Sequence, residues 1–163
     1  IGGVVVLAGG IFDMFDGTLA RATGRVSRWG AFMDSVFDRS GEAIVYVGIV
    51  VGSAIDEHTR VPILATAAMA SAFMVSYVRA RAEGLGFSAG RGMAAVGLMP
   101  REVRLVILAI GLILADSPNI KALELTLGII TIGATLTVIQ RILHVRAQAI
   151  RQAPSQPTEQ EQM

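Results

Sequence analysis

The chain has 163 residues, a formal net charge of +1 and 53% apolar side chains, with a mean hydropathy of +0.60. A balance this close to neutral leaves no electrostatic footprint for nucleic acid. The absence of cysteine excludes disulfides, thiol catalysis and thiolate metal sites. Sparse charge with 18 glycines instead agrees with a membrane protein, and the apolar segments taken in order below give the expected fold, an all-α polytopic transmembrane bundle.

The first apolar run, Ile1 to Phe12, rises only about 18 Å as a helix, against about 30 Å of bilayer hydrocarbon. We therefore expect the upstream part of this span to be absent from the chain. No basic region precedes the run and no cleavage site follows it, so it does not read as a signal peptide.

Four carboxylates come next, at Asp13, Asp16, Asp34 and Asp38, inside or at the ends of apolar segments. A charged side chain near the bilayer core costs roughly 2.5–3.5 kcal/mol, and such residues mark functional interiors. Asp13 and Asp16 are three apart and Asp34 and Asp38 four apart, so each pair lies on one face of its helix. Facing one another across a helical hairpin, the pairs would repel strongly unless a cation lay between them. Hard cations take oxygen ligands and share them with substrate phosphates, so Mg²⁺ or Mn²⁺, as two ions, is expected at Asp13, Asp16, Asp34 and Asp38. Helix capping accounts for Asp16 before Gly17, but not for the pair at Asp34 and Asp38.

Further apolar segments run over Ala31–Ile55, Val61–Val78, Val103–Ala115 and Ala122–Val145, giving five spans with the first. The short one is expected to begin near Pro100, a favourable first helical position, which places Arg101 and Arg104 in its opening turns. Arginines crowd alternate connections: Arg21, Arg25 and Arg28; then Arg79, Arg81, Arg91, Arg101 and Arg104; then Arg146 and Arg151. The remaining connections carry only Arg60 or Lys121. The positive-inside rule makes the arginine-rich side cytoplasmic, and the aspartates lie near that face. Residues 1–151 read as a transmembrane catalytic domain, and residues 152–163, rich in Gln, Pro, Ser and Glu, as a disordered cytoplasmic tail.

Arg39 and Glu42 beside Asp38 read as a supporting ion pair, and Trp29 as an interfacial anchor. Gly48 and Gly52 would allow two helices to approach closely. His58 and His144 show no partner pattern for zinc or a proton relay. Arg81, Arg146 and Arg151 read as side chains reaching toward lipid headgroups.

The arrangement Asp-x-x-Asp-Gly-x-x-Ala-Arg-x8-Gly-x-x-x-Asp-x-x-x-Asp, met here at Asp13, Asp16, Gly17, Ala20, Arg21, Gly30, Asp34 and Asp38, resembles the signature of the CDP-alcohol phosphatidyltransferases. That resemblance implies an integral membrane enzyme of six transmembrane helices, one of them upstream of Ile1, in a bacterial or archaeal plasma membrane. It implies displacement of CMP from a CDP-linked lipid such as CDP-diacylglycerol by the hydroxyl of a small alcohol, with divalent metal. The region of Gly17, Ala20, Arg21 and Gly30 would hold the CDP moiety, and Asp38 would be both a metal ligand and the general base. The family's habit also implies a homodimer.

The stretch Ser76-Tyr77-Val78-Arg79-Ala80-Arg81-Ala82-Glu83 resembles one in the phosphatidylinositol-phosphate synthase branch of that family. Arg104 and Arg141 fall at the cytoplasmic ends of the following spans and could converge with Ser76 and Arg79. A guanidinium cluster beside a metal site suits a phosphorylated acceptor, inositol phosphate first and glycerol phosphate second. The reading from a different class, a divalent-cation transporter or channel, would place carboxylates on facing helices near the bilayer midplane. Here they gather at one face, beside Gly17 and Arg21.

Overall fold

The computed structural model describes residues 3–4, 27–55, 59–87, 96–115 and 120–152, and within them the backbone is helical with short connections and no strands. Four long helices follow one another: α1 (Arg28–Ile55), α2 (Arg60–Gly84), α3 (Arg101–Leu114) and α4 (Ile120–Gln152). Most of the expected first span lies outside the described residues, as do Asp13, Asp16, Gly17, Ala20, Arg21, His58 and residues 153–163.

The helix ends follow local chemistry. Ser27 starts α1: its Oγ accepts the Gly30 N–H at 2.9 Å and its carbonyl accepts the Ala31 N–H at 3.0 Å, an N-cap that satisfies donors with no intrahelical partner. Past the end of α2, Gly86 sits at φ +82, and the Phe87 N–H returns 2.9 Å to the Ala82 carbonyl. That reversal needs a left-handed residue, which glycine adopts without a Cβ penalty. Pro100 was expected as the first helical residue of the short span, but it stands one step earlier as the N-cap of α3. Its φ of −65 suits a helix, whereas its ψ of 166 is extended. The last helix overruns its apolar span by seven residues to Gln152, because arginine, alanine and glutamine are good helix formers and nothing stops it.

Two of the helices are long and apolar enough to cross a membrane, α2 and the Lys121–Gln152 part of α4. These two form the most extensive helix pair; α1 packs on α2, and α3 on α4. The face that α2 turns inward carries Ala65, Ala68 and Ala72, all buried, at the three-and-four spacing that aligns one helix side. Small side chains there let helix axes draw close, and Tyr46, Leu108, Leu127 and Ile130 complete the core. Large apolar side chains of the same helix, Ile63, Phe73 and Met74, point outward. Within the helices, hydroxyls bond back along their own helix: Thr126 Oγ1 donates to the Ala122 carbonyl at 2.7 Å, and Thr131 Oγ1 to Leu127 at 2.8 Å.

Ala68→Leu would force an isobutyl group into this contact. Overpacking of a closed core costs about 1–3 kcal/mol, so the variant is expected to unfold at lower temperature in detergent, while the Ala70→Leu control on the exposed face does not. Gly48 and Gly52 face open space on α1, so the close helix approach they would allow is not made among the described residues.

Candidate active site

The row Asp34, Asp38, Glu42 runs down α1 at four-residue intervals, so the three carboxylates stack along one side of the helix. They differ sharply in surroundings. Asp34 is exposed, Asp38 half-buried, and Glu42 buried at 4% exposure. Arg104 of α3 meets Glu42 from across the bundle, its Nε 3.0 Å from Oε1 and its Nη2 3.0 Å from Oε2. This two-pronged geometry is what a desolvated guanidinium–carboxylate pair requires. The third arm of Arg104, Nη1, donates to the Met99 carbonyl at 3.1 Å.

The expected Arg39–Glu42 pair is therefore corrected. Arg39 instead lies 3.5 Å from Asp38 Oδ2, and Arg101 Nη1 lies 2.9 Å from Asp38 Oδ1. Glu42 faces the helix bundle, where Arg104 of another helix reaches it.

The segment before α3 sets where Arg101 stands. Gly97 has a φ of +123, and a Cβ there would run into the side chain of Thr137 on α4. Two residues on, the buried Met99 N–H donates to Thr137 Oγ1 at 3.0 Å, and that hydroxyl donates in turn to the Gly133 carbonyl at 2.8 Å. Arg141, also on α4, donates from Nε to the Val96 carbonyl at 2.9 Å and from Nη1 to the Val75 carbonyl at 2.6 Å. One helix thus holds Val96 and Met99, the residues that lead into α3.

These elements enclose a cavity of about 850 Å³. Asp38 and Arg39 of α1, Ser76, Arg79 and Glu83 of α2, Arg101, Glu102 and Arg104 of α3, and Arg141 of α4 line it, with Phe32, Val36 and Phe73 on its apolar side. Five arginines stand against three carboxylates in that wall, an excess of positive charge suited to an anion. Arg79 also pairs along its own helix, Nε to Glu83 Oε1 at 2.9 Å.

Of the residues singled out in the sequence, Asp38, Ser76, Arg79, Arg104 and Arg141 come together at this cavity. Asp34 and Gly30 are described but do not line it. Sequence reasoning placed Arg101 without giving it a role and missed Thr137 and the Glu42–Arg104 pair. The only signal for that pair was a glutamate with apolar neighbours one turn beyond Asp38.

Among the described residues no three metal-ligating side chains gather at one point. Asp34 and Asp38 supply hard oxygen donors one helical turn apart, which suits Mg²⁺ or Mn²⁺. The other two aspartates expected in the set, Asp13 and Asp16, lie outside the described residues.

The class of protein follows from comparison with known sequences. Residues 1–143 match the model of the CDP-alcohol phosphatidyltransferase family, and the chain belongs to that family. Among individual relatives, it is 33% identical over 146 residues to the archaetidylinositol phosphate synthase of Pyrococcus horikoshii, covering 90% of this chain and 70% of the relative. It is 35% identical over 155 residues to the phosphatidylinositol phosphate synthase of Streptomyces avermitilis, covering 90% of this chain and 62% of that protein. In three dimensions it resembles the crystal structure of Mycobacterium tuberculosis phosphatidylinositol phosphate synthase with CDP-DAG bound, with a TM-score of 0.76 and 30% identity over 88% of this chain and 71% of that one. The same enzyme in complex with manganese and citrate superposes with a TM-score of 0.75 over 68% of its length. The chain thus spans about two thirds of the length of these relatives.

Proposed function

We propose that the protein moves a phosphatidyl group from CDP-diacylglycerol to a hydroxyl of a phosphorylated polyol, inositol phosphate first, and releases CMP. The observation that carries this reading is the arginine-walled cavity opening beside Asp38. The names of the relatives support the inositol phosphate acceptor, and glycerol phosphate is the second choice on the same chemistry.

Each residue then has a task. Asp13, Asp16, Asp34 and Asp38 hold the divalent metal, Mg²⁺ or Mn²⁺, which when bound supplies positive charge to stabilise the departing CMP phosphate. Gly17, Ala20, Arg21 and Gly30 hold the CDP moiety. Ser76, Arg79, Arg104 and Arg141 receive the phosphate of the acceptor, whose hydroxyl is directed toward Asp38. Asp38 takes the hydroxyl proton as the acceptor oxygen bonds to the phosphatidyl phosphorus. The bond from that phosphorus to the CMP oxygen breaks, and CMP leaves with the electron pair.

We read the chain as five membrane spans of a six-helix bundle, with the aspartates at the cytoplasmic face. The outward Ile63, Ile132 and Ile139 of α2 and α4 support a lipid-facing surface. A homodimer along the open Gly48 and Gly52 face of α1 fits the same picture.

The test is CMP release from CDP-diacylglycerol by the full-length protein with Mg²⁺ or Mn²⁺, acceptors being added one at a time. Turnover with inositol phosphate is expected. Turnover with glycerol phosphate alone would keep the reaction and change the acceptor. A folded protein that releases no CMP with any acceptor would favour cation transport instead.

A further inference from the structure

Three carboxylates line the cavity, and two of them have a reason to be there. Asp38 serves the proposed chemistry, and Glu102 stands in the first turn of α3, where the positive end of a helix favours a carboxylate. Glu83 has neither reason. We propose that Glu83 is a specificity-determining residue: it accepts hydrogen bonds from hydroxyls of the acceptor, and so selects a phosphate ester that carries several of them. The inference rests on the phosphatidyl transfer proposed above and deepens its choice of acceptor.

Helix stability does not account for this glutamate. Glu83 falls in the last turn of α2, next to Gly84, where unpaired carbonyls make the helix end negative and a carboxylate unfavourable. Its partner Arg79 precedes it by four residues, and this order, cation first, is the weaker one for a helical pair. The two side chains are 42% and 40% exposed, so solvent screens much of the attraction that remains. Glu83 also shares its wall with arginines suited to a phosphate, and its own charge repels one.

Recognition of hydroxyls gives those costs a purpose. Oε1 of Glu83 accepts from Arg79 Nε at 2.9 Å, which leaves both Nη groups of Arg79 for the phosphate. Oε2 accepts no hydrogen bond among the described residues, so it can take a hydroxyl of the same acceptor. Arginines alone would hold any small phosphate. A carboxylate among them makes a bare phosphate a poorer ligand and a polyol phosphate a better one. The backbone under Glu83 is fixed as well. The Gly86 N–H donates to the Glu83 carbonyl at 3.1 Å, and the Phe87 N–H to the Ala82 carbonyl at 2.9 Å. The carboxylate is therefore presented from a rigid helix end, as discrimination between similar acceptors requires.

The test compares two ligands of the same pocket in CMP release by the full-length protein. The KM for inositol phosphate reads phosphate and hydroxyls together, and competitive inhibition by inorganic phosphate reads the arginines alone. In Glu83→Gln the amide keeps the shape and an oxygen for Arg79 but loses the charge. Its KM for inositol phosphate is expected to rise about fivefold or more, while inorganic phosphate inhibits as well as before or better. Glu83→Asp, which keeps the charge one methylene further back, is expected to lose less. Melting curves confirm that both variants are folded. An unchanged KM in Glu83→Gln would overturn the inference, as would a parent that inorganic phosphate does not inhibit. Weakening of both ligands by one factor would also overturn it, since that marks a residue that only positions Arg79. A parent that uses glycerol phosphate but not inositol phosphate would overturn the inference and leave the transfer standing. A folded parent that releases no CMP with any acceptor would instead overturn the proposed function, and this inference with it.

Discussion

Replacing Asp38 by asparagine is expected to slow CMP release by about 10²–10⁴-fold, the span usually associated with losing a general base. The amide matches the carboxylate in shape and its oxygen can still accept from Arg101 at the edge of the cavity, so the fold should survive. What it cannot do is take a proton or offer a charged oxygen to a cation. Single-turnover release of CMP at saturating acceptor isolates the chemical step, and a melting curve alongside confirms that the variant is folded. Undiminished release would place the base elsewhere. Asp38→Glu is expected to fall between the two, because one more methylene drives the carboxylate toward Arg39 and Arg101 rather than removing it.

The second large effect concerns stability. Glu42→Gln leaves the Arg104 guanidinium, 1% exposed, without its counter-charge. Breaking a buried pair from one side costs about 3–5 kcal/mol, against a total stability of about 5–15 kcal/mol for a typical domain. The variant should lose a large part of its unfolding temperature. A double substitution, Glu42→Met with Arg104→Met, removes both charges and is expected to recover most of that loss. Because Arg104 also belongs to the proposed acceptor pocket, the double variant is expected to regain stability while its KM for inositol phosphate stays raised. A double variant as unstable as the single would show that the pair does more than satisfy itself.

The helices could be read from the sequence because lipid-length apolar runs leave few alternatives, and α1 and α2 begin within three residues of the expected limits. The far end of α1 also falls at the expected Ile55, but those of α2 and α4 were less legible. Apolarity marks what sits in a membrane, whereas helix continuation depends on propensity and capping, so α2 runs on to Gly84 and α4 to Gln152. Asp34 and Asp38 stood out because carboxylates beside apolar residues need a cause. The partner of Glu42 did not: Arg39 was the nearest arginine in sequence, yet Arg104, 62 residues away, meets it in space. Thr137 was invisible for a related reason. A threonine in a long apolar helix usually bonds its own preceding turn, and nothing nearby signals that it also accepts from Met99.

The anchoring of Val96 and Met99 to α4 has a consequence for how this protein can change over time. Loop closure grows costly only slowly with length, and here the last five residues before α3 are fixed from outside the loop, by Arg141 and Thr137. Residues can be added or removed ahead of Val96 without altering the height at which Arg101 emerges. Length variation is thereby insulated from catalytic geometry, provided that the glycine at 97 and the hydroxyl at 137 are inherited together.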